Sequence, residues 1–231
     1  MKNILIVGAS RGIGYSTCDV LQTNTHLYTI SRGPMPTSIN TIHFQLDVTK
    51  DPIDALVGDL PDALDGLVYC PGSINLKSFN RLSKEDFYQD FEQNVFGAIR
   101  LLQACYPKLK KSGNASVVLF STVASKIGMP FHASIAVSKS AIEGLTKSLA
   151  AEWASNNIRV NTIALSLTDT PLASSLLNTP EKKEASAKRH PLNQIGDPTD
   201  IAHFVSLLLN DQSRFMTGQI ICIDGGIGSL K

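Results

Sequence analysis

Cysteine is scarce and scattered in this chain. Cys18, Cys70, Cys105 and Cys222 lie far apart, with no CxxC pair. That spacing excludes a disulfide framework and a cysteine-based zinc site, and it leaves buried free thiols in a reducing cytosol as the expectation. An excess of charge is also missing: 21 Lys and Arg face 20 Asp and Glu, for a net charge of +1. Binders of nucleic acid or anionic lipid carry a basic footprint, so neither partner is expected. The densest basic cluster, Lys108, Lys110 and Lys111, reads as a solvated helix end. No apolar run approaches the length of a membrane span. Ile4–Val7, after Lys2, is too short for a signal-peptide core and runs straight into Gly8. His26, His43, His190 and His203 show no metal-ligand spacing and read as structural residues. A soluble, cytoplasmic protein without a metal site follows as the expectation.

The chain does have apolar material in quantity. Hydrophobic residues make up 43% of 231 positions, enough to bury the core of one large domain. They fall in short continuous runs: Ile4–Val7, Leu27–Ile30, Ile42–Leu46, Gly66–Tyr69, Ser116–Ser121, Arg159–Ala164 and Gln219–Ile223. Continuous rather than alternating runs mark parallel strands buried on both faces. Amphipathic segments lie between them, near Ile13–Gln22, Lys84–Lys110, Ser134–Ala154 and Pro198–Leu209. Such alternation predicts a Rossmann-type, doubly wound α/β fold with a mainly parallel seven-stranded sheet and helices on both faces. Pro52 and Pro61 limit any helix between Thr49 and Asp65 to a brief one. Leu167–Asp197 carries Pro171, Pro180 and Pro191 and follows a strand end, where open α/β sheets place ligands. It reads either as a substrate-side lid or as an ordered surface excursion.

The first strand runs into Gly8-Ala-Ser-Arg-Gly12-Ile-Gly14, and a helix follows. Glycines there allow positive φ and a close approach to a pyrophosphate, and the helix N-terminus offers unpaired N–H groups to the phosphates. Placement between strand and helix makes this a dinucleotide-binding turn. The second strand ends without the Asp or Glu that would accept from an unmodified ribose 2′-hydroxyl. Ser31 and Arg32 stand there instead, with Arg11 inside the glycine turn. Two guanidinium groups and a hydroxyl suit a 2′-phosphate, so NADP(H) is favoured over NAD(H).

In order along the chain, these residues resemble the short-chain dehydrogenase/reductase family from Lys2 to Gly226. Gly8 to Gly14 is similar to its glycine motif, and Asp47-Val48 to the pair flanking the adenine ring. Asn94, in Asn94-Val-Phe-Gly97, resembles the helix asparagine that supports the family's proton relay. Lys139, in Ser138-Lys139-Ser-Ala, resembles the lysine of its catalytic helix. Thr217-Gly-Gln and Asp224-Gly-Gly match its C-terminal strand region. The resemblance implies that Gly8, Ser10, Arg11, Gly12, Ile13 and Gly14 hold the pyrophosphate and neighbouring ribose. Gly72, Lys139, Thr168 and Thr170 belong to the nicotinamide end, and Asn94, Thr122 and Lys139 form the active-site set. It also implies a homodimer or homotetramer packed through the two long helices, acting on a small-molecule substrate.

The chain departs from the family pattern at several points. The position four before Lys139, a tyrosine in the family, is Ile135, which neither donates nor accepts a proton. The family's serine becomes Thr122, beside Ser121. Tyr69-Cys70-Pro71-Gly72 replaces its Asn-Asn-Ala-Gly, and Leu165-Ser166 replaces its Pro-Gly. His132, seven before Lys139, has the tyrosine-to-lysine spacing of the superfamily's enoyl reductases. Histidine titrates near neutral pH, which makes it the candidate acid; a loop histidine bonding locally is the alternative. The expectation is an NADP(H)-dependent oxidoreductase for a carbonyl, alcohol or activated alkene. A nucleotide-binding sensor or scaffold stands beside it. Cys70, at a strand end, reads as a space-filling thiol.

Overall fold

The computed structural model describes residues 1–230. Seven strands pair in parallel: β1 (Lys2–Val7), β2 (Thr25–Ser31), β3 (Ile42–Gln45), β4 (Gly66–Tyr69), β5 (Ala115–Thr122), β6 (Ile158–Leu165) and β7 (Ile220–Ile223). They form one sheet in the order β3-β2-β1-β4-β5-β6-β7. This is the doubly wound architecture the apolar runs predict, and every expected strand lies within two residues of its observed ends.

The runs are continuous because both faces of the sheet are covered. Successive side chains point to opposite faces. Leu5 and Val7 of β1 and Val117 and Leu119 of β5 enter one core. Ile4, Ile6, Val118 and Phe120, their immediate neighbours, enter the other. Helices α1 (Gly12–Leu21) and α7 (Pro198–Leu209) cover the second core with Cys18, Leu21, Ile201 and Val205. The first core is closed by α4 (Gly97–Ser112) and α5 (Ala133–Trp153), through Leu101, Leu102, Ile142 and Trp153. Trp153 lies against Tyr106, with ring centroids 5.0 Å apart.

Two segments differ from expectation. Lys84–Lys110 is not one regular helix. Helix α3 (Lys84–Phe91) passes through a π-helical turn, Glu92–Phe96, before α4 begins. Leu167–Asp197 is more ordered than its prolines imply. It holds a 3-10 stretch, Pro171–Leu176, and helix α6 (Pro180–Ala187), whose N-cap Thr179 accepts from the Lys182 N–H. Thr179-Pro180-Glu181 is a helix-start signature that was there to be read. The ends of this segment are tied: Gly196 donates to the Leu167 carbonyl and Asp169 to the Gly196 carbonyl, each at 2.9 Å. Between Asp54 and Asp59 lies α2, the brief helix expected there.

Strand order reverses direction at β1, which sits between β2 and β4. The connections leave in opposite directions at that point and open a crevice at the strands' C-terminal ends. The glycine turn lies in it. Gly12 has φ +58, and a Cβ at Gly14 would collide with the Gly8 carbonyl group. Helix α1 therefore starts in direct contact with the turn. Gly14→Ala should lower unfolding stability by about 2 kcal/mol, the usual scale of forced overpacking. Urea unfolding measures this, and an unchanged midpoint would show that the turn relaxes freely.

Candidate active site

Two adjoining cavities open along the crevice. The first, about 430 Å³, is lined by the glycine turn and the ends of β2 and β4. Gly8, Ser10, Arg11, Gly12, Ile13, Gly14, Ser31, Arg32, Asp47, Val48, Gly72 and Thr170 all reach it. The N-terminus of α1 points here without a side-chain cap or an acidic residue in its first turn. By contrast, α3, α6 and α7 are capped by Ser83, Thr179 and Asp197. Unpaired N–H groups and the helix dipole suit an anion at such an end. Arg11 and Arg32 are exposed, and their guanidinium groups make no hydrogen bond within the described chain. Ser31 differs: it is buried, and its hydroxyl donates to the Gly33 carbonyl at 2.7 Å, so its proton is already committed. Burial pushes the Asp47 carboxyl up. Bonds from the Thr49 hydroxyl and N–H and the charge of Arg32 outweigh this and hold it below its ordinary value.

The second cavity, about 520 Å³, is lined by Thr122, His132, Ile135, Lys139 and Thr168. It shares Ile13, Cys70, Gly72, Thr170 and Leu172 with the first, so the two are neighbours across those residues. Thr122 ends β5. Its hydroxyl accepts from the Ala124 N–H at 3.3 Å and gives its own proton to no described group. Helix α5 carries Ile135 and Lys139 one turn apart, both buried. Lys139 Nζ donates to the Phe120 carbonyl at 3.0 Å, and two of its three donors stay free. Burial lowers its pKa to about 8, against the opposing charge of Asp90. His132 is the residue just before α5, and its Nδ1 meets the Pro130 carbonyl at 2.7 Å. The helix therefore does not extend through His132, which stands at the cavity edge, while its Nε2 has no partner among the described residues.

Asn94 lies in the π turn, a distortion that recurs at functional sites. The Tyr69 hydroxyl donates to the Gln93 carbonyl at 2.8 Å, and a Cβ at Gly97 would block that approach. The Asn94 amide donates towards Ser73 Oγ at 2.9 Å and the Asp90 carbonyl at 2.8 Å. Its Oδ1 is buried with no partner. A Cβ built on Gly72 would lie 3.6 Å from that oxygen and 3.7 Å from Lys139 Nζ, so both atoms border the space over Gly72.

Three contacts at this site were not legible in the sequence. Ser166 Oγ meets His190 Nε2 at 2.7 Å, and His190 Nδ1 meets the Ser186 carbonyl at 2.9 Å. The carbonyl requires a proton on Nδ1, so in the neutral ring Nε2 accepts from Ser166. Ser73 donates to buried Asp90 at 2.5 Å, and Ser134 donates to the same carboxylate. The third is the Tyr69–Gln93 bond. Apart from the local His190–Ser186 bond, these join residues 17 or more positions apart, and only folding reveals them. Cys70 sits where the two cavities meet, and burial pushes its thiol well above the ordinary value, leaving it an inert wall group.

An open helix N-terminus, an unpartnered buried carbonyl oxygen and a lysine with spare donors fit a dinucleotide with its ribose hydroxyls over Gly72. Similarity to known proteins agrees. A family model described as Enoyl-(Acyl carrier protein) reductase matches residues 8–228. A tropinone reductase homolog from Datura stramonium is 30% identical over 246 residues, covering 96% of this chain and 90% of that protein. The 3-oxoacyl-[acyl-carrier-protein] reductase FabG of Thermotoga maritima is 31% identical, covering 98% and 97%. Among solved structures, a short-chain dehydrogenase family protein from Francisella tularensis superposes with a TM-score of 0.90 at 30% identity, covering 98% of both chains. ElxO with NADP bound gives 0.90 at 26% identity, again with 98% of each chain covered. The chain belongs to the short-chain dehydrogenase/reductase family, oxidoreductases that use a nicotinamide cofactor.

The lowered pKa of Lys139 has a stability consequence. Below about 8 the native and unfolded chains both carry the charge, and the native state bears its full desolvation cost. As pH rises from there towards the ordinary lysine value, the native state sheds its proton first and that cost disappears. Wild type should therefore gain stability relative to Lys139→Met as pH rises through about 8. Parallel melting curves for the two proteins across that range test this, and a constant gap would contradict it.

Proposed function

We propose that this chain is an NADP(H)-dependent oxidoreductase that transfers hydride to or from a carbonyl, alcohol or activated alkene. The carrying observation is that the cavity at the glycine turn and the cavity holding Lys139 and Thr122 adjoin and share Ile13, Cys70, Gly72, Thr170 and Leu172. We read the chain as one nucleotide-binding domain, with residues 167–197 as a lid over the substrate side. Packing through α4 and α5 into a homodimer or homotetramer belongs to the same reading, as does a cytoplasmic location.

The cofactor supplies hydride at its nicotinamide ring, and the protein supplies position and protons. The first turn of α1 and the Gly8–Gly14 backbone hold the pyrophosphate. Arg11 and Arg32, free of other hydrogen bonds, hold the 2′-phosphate, with Ser31 shaping the turn beneath them. Asp47 and Val48 border the adenine. Lys139 donates to the ribose hydroxyls, while Thr168 and Thr170 face the carboxamide. Thr122 gives its uncommitted proton to the substrate oxygen as a hydrogen bond, and Asn94 steadies the polar network behind Lys139. In our reading Ile135 takes the place of the family's tyrosine, so the transferred proton comes from Nε2 of a doubly protonated His132, whose Nδ1 proton stays hydrogen-bonded to the Pro130 carbonyl. The same isoleucine favours the second reading, a protein that keeps NADP(H) as a sensory or structural ligand.

NADPH should raise the melting temperature more than NADH does, and Arg32→Ala should remove most of that difference. Losing a charge-assisted bond of this kind weakens binding by about tenfold. No stabilisation by either nucleotide would end both readings. NADPH absorbance followed over a panel of ketones, aldehydes and enoyl thioesters then separates enzyme from sensor. In an active enzyme, His132→Ala should lower turnover by about 10²-fold, the scale of a lost general acid. Unchanged turnover would remove His132 from the mechanism.

A further inference from the structure

We infer that the substrate of this site is an organic anion, with an apolar body that enters the cavity and a terminal oxyanion, carboxylate or phosphate, that stays at the rim. This deepens the oxidoreductase reading and rests on it. The second cavity is walled by apolar side chains, among them Met129, Ile135, Leu167, Leu176 and Ile227. Its charged lining groups are of one sign: Lys139, Lys182 and Arg189, with His132 beside them and no Asp or Glu among the described residues. Lys139 is buried at the nucleotide end, whereas Lys182 and Arg189 are exposed at the other, on and just after α6.

The pairing of the lysines around α6 sharpens this. Lys183 is bonded to Asp169 at 2.8 Å and Lys188 to Glu184 at 2.6 Å, so each is neutralised by a carboxylate. Lys182, which lines the cavity, is not. Among the described residues its Nζ meets only neutral acceptors, Asn178 Oδ1 at 2.9 Å and the Ser175 carbonyl at 3.5 Å. Those bonds hold the ammonium at the rim without cancelling its charge. A carboxylate or phosphate arriving there gains a charge-assisted bond. A cationic ligand meets only repulsion, and a neutral one gains nothing at that end.

The test is calorimetric binding to the full chain, with and without NADP⁺. Its probes are a medium-chain keto carboxylate, the methyl ester of that acid, and an alkyl phosphate of matched length. The carboxylate or the phosphate should bind about tenfold more tightly than the ester, and the stronger of the two identifies the oxyanion source. Lys182→Gln should erase most of that preference and leave ester binding unchanged, and added salt should shrink it. Lys182→Met is the second variant, with the same expectation. Equal affinity of ester and anions overturns the proposal, as does an equal loss for all probes in Lys182→Gln. Acetate matching the keto carboxylate would also overturn it, because the apolar body would then contribute nothing. Calorimetry needs no turnover. A chain that binds the anions selectively yet reduces none of the carbonyl panel therefore sinks the oxidoreductase reading alone.

Discussion

Burying both faces of a parallel sheet leaves polar chemistry very little room. Every position of β4, and all but the last residue of β5 and of β6, is buried. Helices close the sheet above and below, so neither face can hold a ligand. Only the strand ends remain, and the reversal of strand order at β1 keeps helices from closing one of them. Thr122, Cys70, Ser166 and the glycine turn all lie at those ends. The site is the part of the sheet that the packing leaves uncovered.

This constraint explains what was legible in the sequence. A strand buried on both faces must be apolar at consecutive positions, and seven such runs stood out. The glycine turn was legible for a backbone reason, since Gly12 and Gly14 satisfy local geometric demands that other residues violate. The π turn around Asn94 was not. It depends on a Tyr69 hydroxyl that comes from β4, and helical periodicity passes through it unbroken. The prolines of Leu167–Asp197 mask helix α6 in the sequence. Its start signal, Thr179-Pro180-Glu181, was nonetheless present. His190 stands as one isolated histidine among several in the sequence, because Ser166 becomes its neighbour only in three dimensions.

The interior of the site is polar in a selective way. Asp90 is buried and receives two serine hydroxyls, and its charge opposes the burial that would discharge Lys139. Ile135, on the cavity side of the same helix, adds no polar atom. The network behind the cavity wall is thus dense, while the wall itself is largely hydrocarbon. Such an arrangement holds a lysine in place from behind the wall.

The tied ends of residues 167–197 bear on how such a chain diversifies. Gly196 and Leu167 are hydrogen-bonded to each other, so the segment leaves and rejoins the scaffold at one point. Lengthening a loop whose ends are already joined adds little closure entropy. Residues between Thr170 and Ser186 can vary with little strain reaching the sheet, whereas His190 and Leu192 stay tied to Ser166 and to the Gly225 carbonyl, just beyond β6 and β7. The segment behaves as an interchangeable cartridge: the scaffold and the crevice at β1 stay constant while part of the second cavity's wall is free to vary.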